Sequence, residues 1–270
     1  MILDSNSASG GYDIDNSLKL EADNSETLYK NNSNGNRRTF TSSFWVKLTE
    51  LSNAQILVHG VWTNATRLFT NSNEIYIDLA DNTSTYYRWR TNALFRDTSA
   101  WYHFVWRVDT TDSTAANRMR FYINGEEYTD WQESATVPQN FDTLANYVHS
   151  STSDDVQFSY KEASLYNSFY LAEAHHVDGQ SLAPTEFGEF DDDSGIWKPK
   201  EYTGTYGTNG FYLDFEDSSS LGNDANGGTD FTLSNITAAD QATDTPTNNF
   251  CILNPNWVSS NKLIPTNGGT

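Results

Sequence analysis

Six oxygen-bearing side chains surround a glycine-rich stretch late in the chain and have the chemistry of ligands for a hard cation. They are Asp214, Glu216, Asp217, Asn223, Asp224 and Asp230. Ca²⁺ takes about six to eight oxygen ligands, and a flexible loop can bring several of them together. The spacing differs from that of the helix–loop–helix calcium motif, and Asn and Asp are also ordinary residues of β-turns. The cluster therefore predicts either a Ca²⁺ site or a set of solvated turns.

Two of these carboxylates also raise the question of hydrolysis. Asp214 and Glu216 are two residues apart, so on a β-strand their side chains would share one face. Paired carboxylates are the usual catalytic groups of glycosidases, but here we expect the pair to face solvent, opposite Phe215. Ser and Asp are too frequent to mark a nucleophile with its histidine base. We assign no catalytic residue, and a glycan depolymerase using this pair stays a lesser alternative.

Aromatic side chains with polar neighbours form a second candidate site, suited to carbohydrate. Flat rings stack on the apolar faces of sugars, and rings with polar handles are favoured at binding surfaces. Two arginines flank one of the rings and could pair with acidic glycans or with neighbouring subunits. The predicted ligand-binding residues are Trp62, Tyr86, Arg88, Trp89, Arg90 and Trp131. The alternative is that these rings pack against the ends of the fold.

Three histidines could ligate a metal or simply pack. His175 and His176 are adjacent, so on a strand they would point to opposite faces and could not easily share one metal ion. His103 lies in a segment with bulk on both faces. We expect all three to be packed or hydrogen-bonded imidazoles.

The elements that must position these side chains are short β-strands. Apolar residues alternate with polar ones in residues 40–48 and 75–79, which predicts half-buried strands, and residues 101–108 carry bulk on both faces, which predicts a central strand. Asn124-Gly125 is a strong hairpin signal, and residues 126–131 should form the returning strand. Apolar residues nowhere keep a helical spacing over three turns, so the sequence predicts an all-β sandwich or barrel.

Charge and composition exclude several classes of partner. The chain has 270 residues and a formal net charge of −20, which repels nucleic acid and anionic membranes. No apolar run approaches the roughly 18 residues needed to cross a bilayer, so we expect no membrane insertion. The lone Cys251 excludes an intrachain disulfide, so the fold must rest on burial, strand pairing or oligomerisation.

Composition divides the chain into four parts. Polar residues 1–11 suggest an N-terminal arm, and residues 12–180 carry the strand patterns of the sandwich. Residues 181–253 form an acidic, loop-rich extension that we expect to pack on the sandwich, with one clear strand at residues 211–215. Residues 254–270 are rich in Asn and Pro and suggest a tail or linker.

Four motifs in order carry a family resemblance. They are SLKL at residues 17–20, FTSSFWVKL at 40–48, WYHFVWRVD at 101–109 and RFYINGE at 120–126. The region from about Tyr12 to Gly179 resembles the concanavalin A-like, laminin-G-like lectin and glucanase superfamily, which implies a jelly-roll β-sandwich. Glucanases of this kind carry a Glu-x-Asp-x-x-Glu strand motif that the chain lacks, since Glu186, Glu189 and Asp191 stand in a different order.

A second resemblance lies in the extension. The segments are YLAEAHHVDGQSLAPTEFGEF at residues 170–190, GTNGFYLDFEDSSSLGNDANG at 207–227 and DTPTNNF at 244–250. They resemble a segment common in bacteriophage structural proteins, which carry it after a concanavalin A-like domain. This resemblance implies a virion surface component, in a tail fibre or on a capsid, assembled in the host cytoplasm.

The expected function is therefore non-covalent binding rather than catalysis. The resemblance implies other virion proteins as partners. The aromatic set suggests a host-surface glycan as a further ligand, with Ca²⁺ ordering the loops. A homo-oligomer in the particle is expected. The alternative is a capsid decoration or cementing protein that has no glycan ligand.

Overall fold

The computed structural model describes residues 11–50, 55–61, 64–149, 155–159 and 166–248. Trp62, Cys251, the tail expected at 254–270 and all but Gly11 of the expected arm lie outside these residues. No helix in the described part of the chain is long and apolar enough to span a membrane.

Regular structure in the described residues is almost entirely β-strand, with four short 3₁₀ helices at Ala22–Asn24, Ala115–Asn117, Pro184–Glu186 and Ala238–Asp240. The strands are β1 (Ser17–Leu20), β2 (Thr27–Lys30), β3 (Thr39–Leu48), β4 (Gln55–Val61), β5 (Asn64–Asn71), β6 (Glu74–Ala80), β7 (Tyr86–Thr91), β8 (Tyr102–Asp109), β9 (Met119–Ile123), β10 (Glu126–Glu127), β11 (Trp131–Glu133), β12 (Val156–Phe158), β13 (Phe169–Asp178), β14 (Gly188–Phe190), β15 (Trp197–Pro199), β16 (Phe211–Leu213), β17 (Thr232–Ser234) and β18 (Gln241–Ala242).

Two antiparallel sheets form a sandwich, as the alternation predicted. Sheet A has the order β10-β9-β8-β3-β13-β1-β18, with β16 also paired to β13. Sheet B has the order β11-β7-β6-β5-β4-β12-β2-β17, and β14 and β15 form a separate hairpin. Strands β16, β17 and β18 come from the extension, so the extension completes both sheets as well as packing on them.

Aromatic and aliphatic side chains fill the space between the sheets. The ring of Phe44 on β3 packs edge-to-face against Phe104 at 6.2 Å and against Phe158 of the other sheet at 6.1 Å. Trp106 is fully buried beside Phe40, with ring centroids 5.4 Å apart. Each fully buried ring of this kind stabilises the fold by about 1.5–3 kcal/mol, so this layer holds the sandwich together.

The outer face of sheet A is also covered, which corrects the expectation that residues 40–48 form a half-buried strand. Strand β3 is buried on both faces, because its outward residue Trp45 packs with Trp197 of the extension. Further along the same face, Val105 and Val177 pack against Phe187. Alternation alone could not show this cover, since the covering residues lie far away in the sequence.

The predicted Asn124-Gly125 hairpin is confirmed. Asn124 and Gly125 have φ values of 50° and 82°, and they join β9 to β10. The returning strand is shorter than expected, because β10 contains only two residues and Trp131 begins β11, which pairs with β7 in sheet B. The chain therefore passes from one sheet to the other at this point.

Strand β13 runs up to the turn at Gly179, where φ is 93°. It contains a bulge, since its register with β3 shifts between Ala172 and His175 and Glu173 has a φ of 47°. The strand predicted at residues 211–215 ends early, at Leu213, because Phe215 adopts a φ of 60° that a strand cannot continue through.

Candidate functional site

Trp89 is not the exposed ring that the sequence suggested. Strand β7 turns it toward sheet A, where it is 6% exposed and belongs to the core between the sheets. Arg88 and Arg90 occupy the outer face of β7, so the residue between them has to point inward. The ring is therefore unavailable as a sugar platform on the outer surface.

Arg88 and Arg90 have partners within the chain. Arg88 Nε lies 2.7 Å from Asp78 Oδ1, and Arg90 Nη2 lies 2.6 Å from Glu74 Oε2. Asp78 was expected on a polar face, but its side chain is only 3% exposed. These arginines neutralise carboxylates of the neighbouring strand β6, which leaves less of their charge for an acidic ligand than the sequence suggested.

Tyr86 and Trp131 lie in different surroundings. Tyr86 is 57% exposed at the start of β7. Trp131 is half-buried, packs edge-to-face on Tyr128 at 4.8 Å, and lines a cavity of about 430 Å³ together with Trp89 and Tyr128. The structure thus divides the predicted aromatic set between an outer sheet face and a small cavity, while Trp62 lies outside the described residues.

The first of the predicted cation ligands form turns. Asp214 Oδ1 accepts a hydrogen bond from the backbone N–H of Glu216 at 3.2 Å, and Asp217 Oδ1 accepts two from Ser219 at 2.9 and 2.6 Å. This is the way Asp shapes a turn. Because the strand ends at Leu213, Asp214 and Glu216 do not share a strand face as predicted.

The remaining predicted ligands lie beside a lysine. Asp224 Oδ1 accepts from the backbone of Tyr212 at 2.9 Å, and Asp230 Oδ1 accepts from the backbone N–H of Asp224 at 2.9 Å. Asn223 closes a turn through its own backbone N–H. Burial raises the pKa of Asp224, and the charge of buried Lys30 opposes that rise. Lys30 therefore adds positive charge near Asp224 and Asp230, and Asp224 Oδ2 is buried with no hydrogen-bond partner among the described residues.

A different group of carboxylates does come together among the described residues. Glu21, Glu26 and Asp240 have oxygens within 4.8 Å of one another. These oxygens already accept hydrogen bonds: Glu26 Oε2 from the backbone of Glu21 at 2.6 Å, and Asp240 Oδ2 from the backbone of Thr237 at 2.6 Å. Lys19 Nζ lies 2.5 Å from Glu21. We assign no ion to this group, because the chain itself supplies the donors.

The histidines are packed and hydrogen-bonded, as predicted. His175 stacks on Tyr212 of the extension with ring centroids 4.4 Å apart. His176, on the opposite face of β13, bonds Ser42 Oγ and Asn146 Oδ1, each at 2.9 Å. The adjacent pair therefore points to opposite faces of sheet A.

A cleft of about 830 Å³ opens on the outer face of sheet A, where the sandwich meets the extension. The sandwich contributes Trp45, Trp101 and Asn124, the segment before β1 contributes residues 11–15, and the β14–β15 hairpin forms the far wall. Residues 246–248 complete the lining. The volume falls within the range of roughly 300–1,000 Å³ that is typical of small-molecule sites.

The floor of the cleft rests on a layer of stacked rings. Trp45 stacks on His103 at 4.7 Å, and His103 stacks on Trp197 at 5.9 Å, with interplanar angles of 25° and 24°. Trp197 Nε1 donates to His103 Nδ1 at 2.9 Å, and Trp101 Nε1 donates to Asp244 Oδ1 at 3.0 Å. These contacts fix the orientation of the rings before any ligand arrives.

Two glycines hold Trp197 in a slot. A Cβ at Gly125 would lie 2.3 Å from the indole, and one at Gly188 would lie 2.4 Å from it. The hairpin also carries two apolar side chains that stand out from the surface at the cleft: Phe190 is 45% exposed and Ile196 is 67% exposed. Phe190 contacts Trp197 edge-to-face at 4.9 Å.

The segment before β1 is fastened to sheet A through Tyr12. The Tyr12 hydroxyl donates to Glu173 Oε2 at 3.0 Å, and the Tyr212 hydroxyl donates to Glu173 Oε1 at 2.8 Å. Glu173 sits at the β13 bulge, and a positive φ at such a residue costs about 1–3 kcal/mol unless its surroundings hold it. Burial, reinforced by the charge of Glu173, raises the pKa of Tyr12, so this hydroxyl keeps its proton.

Comparison with known families bears directly on this architecture. The family model of the concanavalin A-like lectin/glucanases superfamily matches residues 20–173, more than half of the chain. The chain belongs to the concanavalin A-like lectin/glucanase superfamily. Within this superfamily region lie Trp45, Trp101 and Asn124, whereas Trp197 and the rest of its hairpin lie beyond the match.

Solved structures with a similar fold include a heptameric SAP-like pentraxin from Limulus polyphemus, 14% identical over 64% of this chain and 80% of that chain, with a TM-score of 0.43. The receptor-binding domain of botulinum neurotoxin type G is 14% identical over 59% of this chain and 40% of that chain, with a TM-score of 0.38. The chain spans about a third of another receptor-binding domain that it matches. A search of curated proteins returned no match.

Sequence reasoning missed most of the residues that line this cleft. The alternation in residues 40–48 and 101–108 predicted strands but gave no sign that Trp45 and Trp101 line a cleft, and Trp197 was not singled out. One signal was available, because Ile196 and Trp197 follow the polar turn at residues 191–195, and large apolar residues beside such a turn indicate a hairpin with an apolar face.

Proposed function

We propose that the chain is a surface module that binds glycans without converting them, in the cleft between sheet A and the β14–β15 hairpin. The observation that carries this proposal is the pair of apolar side chains exposed at the cleft, Phe190 and Ile196, above indole rings that are only 5–8% exposed. Sugars present apolar C–H faces that pack on such side chains, and flat rings are well suited to this contact.

The cleft also offers groups that can bond sugar hydroxyls. Asp13 and Asp15 expose carboxylates on one wall, and Asn248 exposes an amide on another, whereas the Thr247 hydroxyl is bonded to the backbone N–H and C=O of Ile14. A few polar groups beside an apolar floor are the usual composition of a ligand site, because the polar groups fix the ligand's orientation. The mixture favours a polyhydroxylated ligand over a purely apolar one.

The setting we propose is a bacteriophage virion, with the module on a tail fibre or on the capsid surface. Its support is the resemblance of residues 170–190, 207–227 and 244–250 to a segment of phage structural proteins. Those residues include part of the hairpin and the segment that closes the cleft. Other virion proteins and a host-surface glycan are the proposed partners, in a homo-oligomeric particle.

The experiment is a binding measurement on immobilised host glycans with two cleft variants. Phe190→Ala and Ile196→Ala remove exposed side chains, so the fold should persist, and each should weaken binding by about tenfold, equivalent to about 1.4 kcal/mol. Matched controls are Tyr86→Ala and Leu94→Ala, whose side chains are 57% and 44% exposed and do not line the cleft. Both controls should bind like the unaltered protein.

Other results would redirect the assignment. Loss of binding in Trp131→Ala, with both cleft variants unaffected, would move the site to the cavity of about 430 Å³. Binding to no glycan, together with tight association to purified capsids, would support the decoration role instead. Release of reducing ends, abolished by Glu216→Gln, would indicate a depolymerase.

A further inference from the structure

The charges at the cleft are unevenly balanced. Asp13 and Asp15 are exposed on either side of Ile14, which is buried, so both carboxylates stand at the solvent side of the segment. Both line the cleft, and neither forms an ion pair with any residue in the described part of the chain. A ligand in the cleft therefore meets two uncompensated negative charges.

The cation at the cleft is already neutralised. Among the described residues that line the cleft, Lys198 is the one lysine, and there is no arginine or histidine. Its Nζ lies 3.3 Å from Glu189 Oε1 and 3.3 Å from Asp191 Oδ2. These two carboxylates stabilise the ammonium and raise the pKa of Lys198. An acidic sugar would have to compete with both of them for this one charge.

More carboxylates lie near Asp15. Burial raises the pKa of Glu216, and the charges of Asp214, Asp15 and Glu173 raise it further. The net charge of the whole chain is −20, so distant residues do not reverse the sign of this local field. At physiological ionic strength the screening length is about 8 Å, so charges this near the ligand still act on it.

We infer that the cleft selects glycans by charge: it binds neutral sugars, favours those with a free amine at Asp13 and Asp15, and excludes those with carboxylate or sulfate groups. The inference rests on the proposed function and names its ligand class. An ammonium beside either exposed carboxylate gains a charge-assisted hydrogen bond. An anion there gains no cation and faces like charge, which is an effective way to reject a competing ligand.

The test uses a glycan array that holds neutral, amine-bearing, sialylated, uronic and sulfated sugars, with N-acetyl-chitotetraose and its de-N-acetylated form as a matched pair. The unaltered protein should retain neutral and amine-bearing glycans only. At low salt the amine form of the pair should bind about tenfold tighter, equivalent to about 1.4 kcal/mol. That advantage should shrink as salt is added, because screening weakens the ion pairs.

The decisive variant is Asp13→Asn with Asp15→Asn. It should bind both members of the matched pair equally and should begin to retain acidic glycans. Its control is Asp23→Asn with Glu133→Gln, which removes the same formal charge from two exposed positions that do not line the cleft. If the control behaves like the unaltered protein, the effect belongs to the cleft and not to net charge.

The outcomes separate the two proposals. An array that retains no glycan overturns the proposed function and the charge selection with it. Retention of sialylated or sulfated glycans by the unaltered protein overturns charge selection and leaves glycan binding standing. Failure of the de-N-acetylated tetramer to bind, or equal behaviour of the Asp13/Asp15 variant and its control, overturns the assignment to these two carboxylates.

Discussion

Trp197 of the extension donates its indole N–H to Nδ1 of His103 on β8, at 2.9 Å. An Nδ1 that accepts a hydrogen bond leaves the proton of the neutral imidazole on Nε2, which can then donate to Ser43 Oγ at 2.9 Å. Burial lowers the pKa of His103 to about 3, so the ring stays neutral. One imidazole thereby joins β3, β8 and the β14–β15 hairpin.

The slot that holds Trp197 should be sensitive to a single methyl group. Gly125→Ala would place a Cβ 2.3 Å from the indole, and the ring cannot retreat because Gly188 closes the other side. We expect a loss of about 1–3 kcal/mol in the free energy of unfolding from overpacking, in addition to the effect of φ. Urea unfolding followed by tryptophan fluorescence measures it.

Gly227→Ala is the matched control, because Gly227 has a φ of 83°, close to the 82° of Gly125, and nothing lies within 4 Å of its would-be Cβ. It should show only the backbone effect of about 1 kcal/mol. Equal losses in the two variants would mean that Trp197 does not fill the slot.

The buried histidines should make stability fall in mild acid. Burial lowers the pKa of His59 and His103 from 6.5 to about 3, and lowers that of His176 well below 6.5. Their contribution is fully present above pH 6.5 and is lost as pH falls toward 3, because only the unfolded chain takes up these protons. We expect a loss of about 4 kcal/mol between about pH 7.5 and pH 5.5, measured by urea unfolding.

His59→Phe isolates one of these groups. Neither ring nitrogen of His59 has a hydrogen-bond partner in the described structure, so replacing it breaks no bond there, and the pH-dependent loss should shrink by about a third. Burial raises the pKa of Asp178 and Asp224, and such carboxylates act in the opposite sense at lower pH, so the measurement stays above about pH 5. A flat stability profile would contradict the neutral buried state of the histidines.

The carboxylate of Asp78 should matter far more than an exposed one. It accepts from Arg67 Nε at 3.0 Å and from Arg88 Nε at 2.7 Å, and its side chain is almost fully buried. Asp78→Asn should therefore lower the free energy of unfolding by about 3–5 kcal/mol, because Arg67 and Arg88 then face a neutral amide in place of a buried carboxylate. Asp142→Asn, which breaks the largely exposed pair with Arg38, should cost less than about 1 kcal/mol.

Removal of divalent cations should leave the melting temperature unchanged. The predicted ligands Asp214 and Asp217 accept hydrogen bonds that shape turns, and Asp224 and Asp230 lie near the charge of Lys30. Thermal melts with excess chelator and with millimolar Ca²⁺ compare the two conditions. A ligand that binds only the folded state raises the melting temperature. A melting temperature that rises with added Ca²⁺ would therefore support the predicted cation site.

The fold was accessible from the sequence because its signals are local. Alternation reports which residues of one strand share a face, and Asn124-Gly125 reports a hairpin through its own backbone preference. The inward orientation of Trp89 could have been predicted from the same alternation, because Arg88 and Arg90 on either side of it lie on the outer face.

The cleft was not accessible, because its walls come from distant parts of the chain. Tyr12 reaches Glu173, and Trp197 reaches His103, over separations of 161 and 94 residues. No pattern within a strand indicates such contacts. The bulge at Glu173 was equally hidden, since its positive φ depends on hydrogen bonds from two tyrosines that lie elsewhere in the sequence.

The pairing of β1 with β18 also sets when this protein can fold. Ser17 bonds to Ala242, 225 residues later, and β2 likewise waits for β17. At about 5–20 residues per second, a ribosome needs roughly 10–45 s to produce the second partner after the first. Closure of the sandwich is therefore a late event in synthesis, and the cell must keep Ser17–Leu20 from pairing with other chains until Gln241–Ala242 emerges.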